Sequence, residues 1–185
     1  MVRVLYCHGL ESGPHGYKVE AMRAWAETVT CADQEMSLIN PLKRHSIVRS
    51  LAAVLFDEGP SGWLPAAFQR SLEKCAQLQR EALSSCGRVD VLVGSSWGGA
   101  VALKLLADGS YAGPSVLLCP AHRAPERWAG VFGADRLREE ASALISSVAN
   151  LHPEVKARCV LVHGTADTTI PIEDSRELAQ RSELF

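Results

Sequence analysis

Short apolar runs alternate along the chain with longer stretches of helical period. Val2–Cys7, Val89–Gly94, Ser115–Cys119 and Arg158–His163 are rich in valine and leucine and bounded by glycine, proline or polar residues. That is the pattern of strands buried on both faces. Thr28–Ala32 is a weaker strand candidate. Tyr17–Val29 places Val19, Met22, Ala26 and Val29 at spacings of three and four, one face of a helix. Arg44–Phe56 repeats this with Ile47, Val48, Leu51, Val54 and Leu55. Leu64–Ser85 does so with Leu72, Cys75, Leu78, Gln79 and Ala82, stopped by Gly87. Trp97–Ala107, ended by Asp108-Gly109, Ala134–Ala149 and Ile172–Arg181, opened by Pro171, complete the predicted helices. Asp57–Gly62 reads as a loop and Pro125–Gly133 as irregular.

Strands alternating with helices predict an α/β chain: a three-layer sandwich with a mainly parallel sheet, built as a single domain over 1–185. In such sheets ligands bind at the carboxyl ends of the strands. The groups there are His8-Gly9-Leu10, Ser96, Pro120-Ala121-His122 and His163 through Asp167. They meet in space only if the strands are parallel.

The densest of these signals is Gly94-Ser95-Ser96-Trp97-Gly98-Gly99, a Gly-x-Ser-x-Gly between a strand and a helix. A serine at such a turn sits in strained backbone with its hydroxyl exposed, and small neighbours let strand and helix approach closely. The Trp97 N–H, at the first helical position, has no partner within the helix and is free to stabilise an oxyanion.

Composition narrows the function classes. A formal net charge of −2 argues against nucleic acid or an anionic membrane as partner. Lys43, Arg44, His45 and Arg49 form only a local cluster. The cysteines at 7, 31, 75, 86, 119 and 159 include no Cys-x-x-Cys, and Cys7, Cys119 and Cys159 lie in or beside strand candidates, as buried thiols do. With no signal-peptide layout and no membrane-length apolar run, the expected location is the cytoplasm. No histidine pair has metal-ligand spacing and no phosphate-binding glycine loop is present, so neither metal nor other cofactor is expected.

An activated serine needs a base, an acid that orients the base, and oxyanion donors. His8-Gly9-Leu10, the Ser96 elbow and His163-Gly164-Thr165-Ala166-Asp167-Thr168-Thr169-Ile170-Pro171 together resemble the α/β-hydrolase superfamily over nearly the whole chain. The Gly94-Ser95-Ser96 start and Cys119-Pro120-Ala121-His122-Arg123 resemble most the small bacterial esterases of the YqiA type. The resemblance implies Ser96 as nucleophile, Asp167 as acid, and the N–H groups of Leu10 and Trp97 as oxyanion hole. It implies loop-shaping roles for His8 and His163. It also implies a small-molecule ester or thioester as substrate, cleaved through an acyl-enzyme.

The chain departs from that pattern at the base. The superfamily's histidine follows the acid, beyond one more helix and strand, and no histidine lies beyond His163. The expectation is a C-terminally truncated piece whose general base lies beyond Phe185, along with the last strand and helix. Two alternatives stay open: His122 or His15 as an unusual base, or a non-catalytic binding or regulatory protein on the same fold. Arg44–Phe56 is read as packing on the sheet, with a lid as the alternative. Trp128 is read as a wall of the acyl pocket.

Overall fold

The computed structural model describes residues 1–54, 63–129 and 134–184. Five strands form one sheet: β1 (Arg3–Cys7), β2 (Thr28–Thr30), β3 (Val91–Ser95), β4 (Ser115–Leu118) and β5 (Cys159–Val162). Their order is β2-β1-β3-β4-β5, and every pairing is parallel. The helices are α1 (Tyr17–Arg23), α2 (Ile47–Val54), α3 (Trp63–Ser85), α4 (Trp97–Ala107), α5 (Ala124–Ala129), α6 (Ala134–Ala149), α7 (Pro153–Lys156) and α8 (Ile172–Ser182).

Alternate residues of each strand face opposite layers. Leu5, Cys7, Leu92, Leu117 and Cys159 face the larger layer and share a buried core with Trp97, Val101 and Leu105 of α4, Phe68 and Cys75 of α3, and Ile145 of α6. Val4, Tyr6 and Val93 face the other way, onto Val19 and Met22 of α1. The chain winds outward from β1 through α1 to β2, then crosses back through α2 and α3 to β3. The loops leaving β1 and β3 therefore diverge above neighbouring strands, which opens a crevice there. In register, Tyr6 lies beside Val93 and Cys7 beside Gly94, so the loop after β1 begins next to the elbow. No described helix is long and apolar enough to cross a membrane.

Several elements differ from expectation for local reasons. The α1 helix stops at Arg23 and Val29 joins the sheet instead, because the β-branched Thr28-Val29-Thr30 pairs with Arg3–Leu5. The segment read as irregular contains α5, whose Pro125 at the second helical position loses no intrahelical bond. Salt bridges from Arg127 of α5 to Asp174 and from Arg123, just before α5, to Glu177 fasten this segment to α8. The short α7, capped by His152 and opened by Pro153, has too little length to show a period. The α2 helix packs on α3: Ile47 is buried, and the Ser50 and Ser71 hydroxyls lie 3.1 Å apart. Leu55, Phe56 and the Asp57–Gly62 loop lie outside the described residues, as do residues 130–133 of the irregular segment.

Candidate active site

The elbow is a close contact of three elements. Ser96 has φ 56° and ψ −120°, a conformation costly for any side-chain-bearing residue, by about 1–3 kcal/mol. It is held there from both sides. Its N–H donates to the Leu118 carbonyl at 2.9 Å, and its carbonyl accepts from Gly99 at 2.8 Å and Ala121 at 2.9 Å. Gly98 permits the approach of α4 to β1: a Cβ there would fall 1.9 Å from the Cys7 carbonyl oxygen. At Gly94 a Cβ would fall 2.5 Å from the Gly98 carbonyl oxygen. The motif glycines are thus set by packing as much as by the turn.

The loop after β1 is anchored by His8, which is fully buried. Its Nδ1 lies 2.8 Å from the Gly9 carbonyl, which can only accept, so Nδ1 carries the proton. Its Nε2 accepts from the Gln34 N–H at 2.8 Å. Gly9 is thereby pressed against the nucleophile: a Cβ on it would stand 3.2 Å from Ser96 Cβ and 3.7 Å from Oγ. A cavity of about 400 Å3 opens over Ser96, with Leu10, Tyr6 and Lys18 among its walls. Burial pushes the Tyr6 phenol up to about 12, so it stays protonated at neutral pH. The N–H groups of Leu10 and Trp97 donate to no described residue.

Asp167 lies on the loop after β5. Its Oδ1 accepts from Thr169 N–H at 2.8 Å and Ile170 N–H at 3.0 Å. The Ile170 amide first, then that of Thr169, hold its carboxyl below the usual value. A carboxylate so stabilised contributes to stability above its unfolded pKa, about 3.9. That contribution disappears as pH falls through its lowered folded value. His163 beside it is saturated: Nε2–H donates to the Ile170 carbonyl at 2.9 Å, and Nδ1 accepts from the Ser175 hydroxyl at 2.7 Å.

Sequence reasoning missed Cys119. The sequence suggests a buried thiol beside a strand, yet Cys119 leaves β4 at φ 40° and is partly exposed. Its thiol lies near enough to the Asp167 carboxylate to feel its charge. Burial first, then that charge, push the thiol up, so it stays protonated. The signal available was its place at the strand's carboxyl end.

The two histidines considered as unusual bases are placed differently. His122 is 6 % exposed and turns Nδ1 onto the Pro120 carbonyl at 3.1 Å, while its Nε2 meets no hydrogen-bond partner. His15 is exposed on the loop before α1. Neither makes a hydrogen bond to Ser96 or Asp167 among the described residues. Trp128 sits on α5 with its ring 6.1 Å from Phe68, and it is not among the described walls of the Ser96 cavity. This corrects the acyl-pocket reading: the short α5 helix turns the indole into the core.

A strained serine between a parallel strand and a helix, under two unengaged amides, on a doubly wound sheet, is the arrangement of an α/β-hydrolase-like serine hydrolase. The chain belongs to the serine hydrolase (FSH1) family, whose pattern it matches over residues 3–183. No curated protein matches it closely enough to suggest a substrate.

Proposed function

We propose that the protein hydrolyses a small-molecule carboxylic ester or thioester through an acyl-enzyme on Ser96. The observation that carries this is the Ser96 backbone, held at φ 56° beside Gly9, with the Leu10 and Trp97 amides unengaged. Ser96 Oγ attacks the carbonyl as its proton passes to a base. The two amides stabilise the oxyanion, and the alcohol or thiol leaves with a proton. Water then attacks the acyl-serine and regenerates the hydroxyl. Metal and cofactor have no part in this sequence. The test is hydrolysis of p-nitrophenyl butyrate and of the matched butyryl thioester, with the acyl-serine trapped by acid quench and located by mass. An adduct on any residue but Ser96 overturns the reading, and binding of the ester without turnover or adduct favours the non-catalytic alternative.

In this reading Asp167 orients the general base. The strand-end histidines His8 and His163 are not that base, because each has both ring nitrogens engaged. The six free cysteines fit a reducing compartment, and the cytoplasm is the proposed location.

Asp167→Asn separates charge from loop geometry. The amide oxygen still accepts from Thr169 and Ile170, so the loop is kept while the charge that orients the base is lost. Turnover is expected to fall by a factor on the order of 10^3. The stability difference from wild type, read by urea unfolding, should hold above about pH 3.9, where the unfolded-state carboxylate is ionised, shrink as pH falls below it, and vanish below the lowered folded value.

A further inference from the structure

The cavity over Ser96 is walled by the ends of β1 and β3, the loop after β1 and the first turn of α1. Lys18 is the one ionised side chain among its described walls, and no carboxylate lines it. The Lys18 ammonium forms no ion pair and no hydrogen bond among the described residues. Carboxylates of the adjoining segments are spent elsewhere. Glu20 pairs with Arg23 on α1. Glu11 Oε1 accepts from the Ser37 hydroxyl and the Leu38 amide. Asp167 Oδ1 accepts from the Thr169 and Ile170 amides.

Position separates Lys18 from an ordinary surface lysine. Its charge acts on the Cys119 thiol, one residue past β4, so it is felt at the strand ends beside the nucleophile. The Ser12 and Tyr17 hydroxyls stand on the same walls and are without partners among the described residues. A substrate that fills this space expels water from around these groups. A neutral apolar group there would desolvate the ammonium and return nothing. An anion returns a Coulomb attraction that grows as water leaves, and it accepts from the hydroxyls too. A single ammonium balances the one charge of a carboxylate rather than the two of a phosphate monoester.

We propose that the ester or thioester cleaved at Ser96 carries a carboxylate that pairs with Lys18, which makes Lys18 a specificity-determining residue. This rests on the hydrolytic reading of Ser96 and names the class of substrate that reading leaves open.

The test uses two pairs of esters. In the first the acyl half carries the charge: the mono-p-nitrophenyl ester of adipic acid against p-nitrophenyl hexanoate. In the second the leaving half carries it: 4-carboxyphenyl butyrate against 4-carbamoylphenyl butyrate. Within one pair, the ratio of kcat/KM for the anionic ester to that for the neutral one should fall about fivefold in Lys18→Gln and further in Lys18→Glu. The ratio cancels any general effect of a substitution on turnover, and the loss should sit in KM. The responding pair shows which half of the substrate carries the carboxylate. In the wild type, the preference for that anionic ester should shrink as ionic strength rises from about 0.01 M to about 1 M. Ratios that stay unchanged in both variants, while the esters are still turned over at Ser96, would overturn the proposal and leave the hydrolytic reading standing. No turnover of any of these esters by the wild type would sink the hydrolytic reading, and this proposal with it.

Discussion

Ser96→Ala should lose hydrolysis by a factor on the order of 10^4 or more and keep its fold. The loss is large because no other group takes over bond formation to the acyl carbon: the Tyr6 phenol stays protonated, and the saturated strand-end histidines have no nitrogen to offer. The fold survives because the bonds holding the elbow are made by backbone: Ser96 N–H to Leu118, and its carbonyl to Gly99 and Ala121. Alanine has the same difficulty as serine at φ 56°, so stability should change by less than about 0.5 kcal/mol. Ser96→Gly should be equally inactive but more stable, by about 1 kcal/mol, because glycine adopts positive φ without the steric penalty. An inactive variant that gains stability would mark the strain as a cost of placing the nucleophile. Hydrolysis rates and urea midpoints on the two variants measure both effects. Full turnover in Ser96→Ala would remove Ser96 from the mechanism.

Gly98→Ala should be the most damaging glycine-to-alanine change among the described residues. Its Cβ would meet the Cys7 carbonyl oxygen at 1.9 Å, the Cys7 carbonyl carbon at 2.4 Å and the His8 carbonyl oxygen at 2.5 Å. All three obstacles are backbone at the end of β1, so no rotamer change relieves the clash. Either α4 withdraws from the sheet or β1 loses register with β3. The expected loss is about 4 kcal/mol, beyond ordinary overpacking and a large share of a typical domain's stability. Activity should fall as well, since the displaced backbone carries Gly9 and Leu10. Gly164→Ala is the control: nothing lies within 4 Å of a Cβ there, and its stability should stay within about 0.5 kcal/mol. A Gly98→Ala midpoint equal to that of wild type would mean that the elbow is not packed as described.

The sequence revealed most where one signal dominated. Valine-rich runs read correctly as parallel strands, although at the sheet edge Val160 and Val162 of β5 are exposed rather than buried. The long α3 helix showed its period over several turns, and α4 was marked by its stop at Asp108-Gly109. The elbow was legible because its glycines answer a steric demand that few other sequences meet. Short elements were harder. The six-residue α5 spans less than two turns, too short to show a period, and its Pro125 stands at a tolerated first-turn position. Val29 fitted a helical face and a strand equally well, and pairing with β1 decided between them. Cys119 was invisible because its role depends on two loops brought together by the order of the strands. For the acid, the sequence offered Asp167 by its place after the last strand. What the fold adds is its clasp by two backbone amides and the nearby Cys119 thiol, whose pKa its charge helps to raise.

The central claim is that Ser96 is an activated nucleophile, and covalent labelling tests it most directly. The protein purified from its own source is treated with a fluorophosphonate, digested, and its peptides weighed. The account predicts one adduct, on the peptide carrying Ser96, at a rate that vanishes in Ser96→Ala. No adduct at all, or an adduct that persists in that variant, would contradict it.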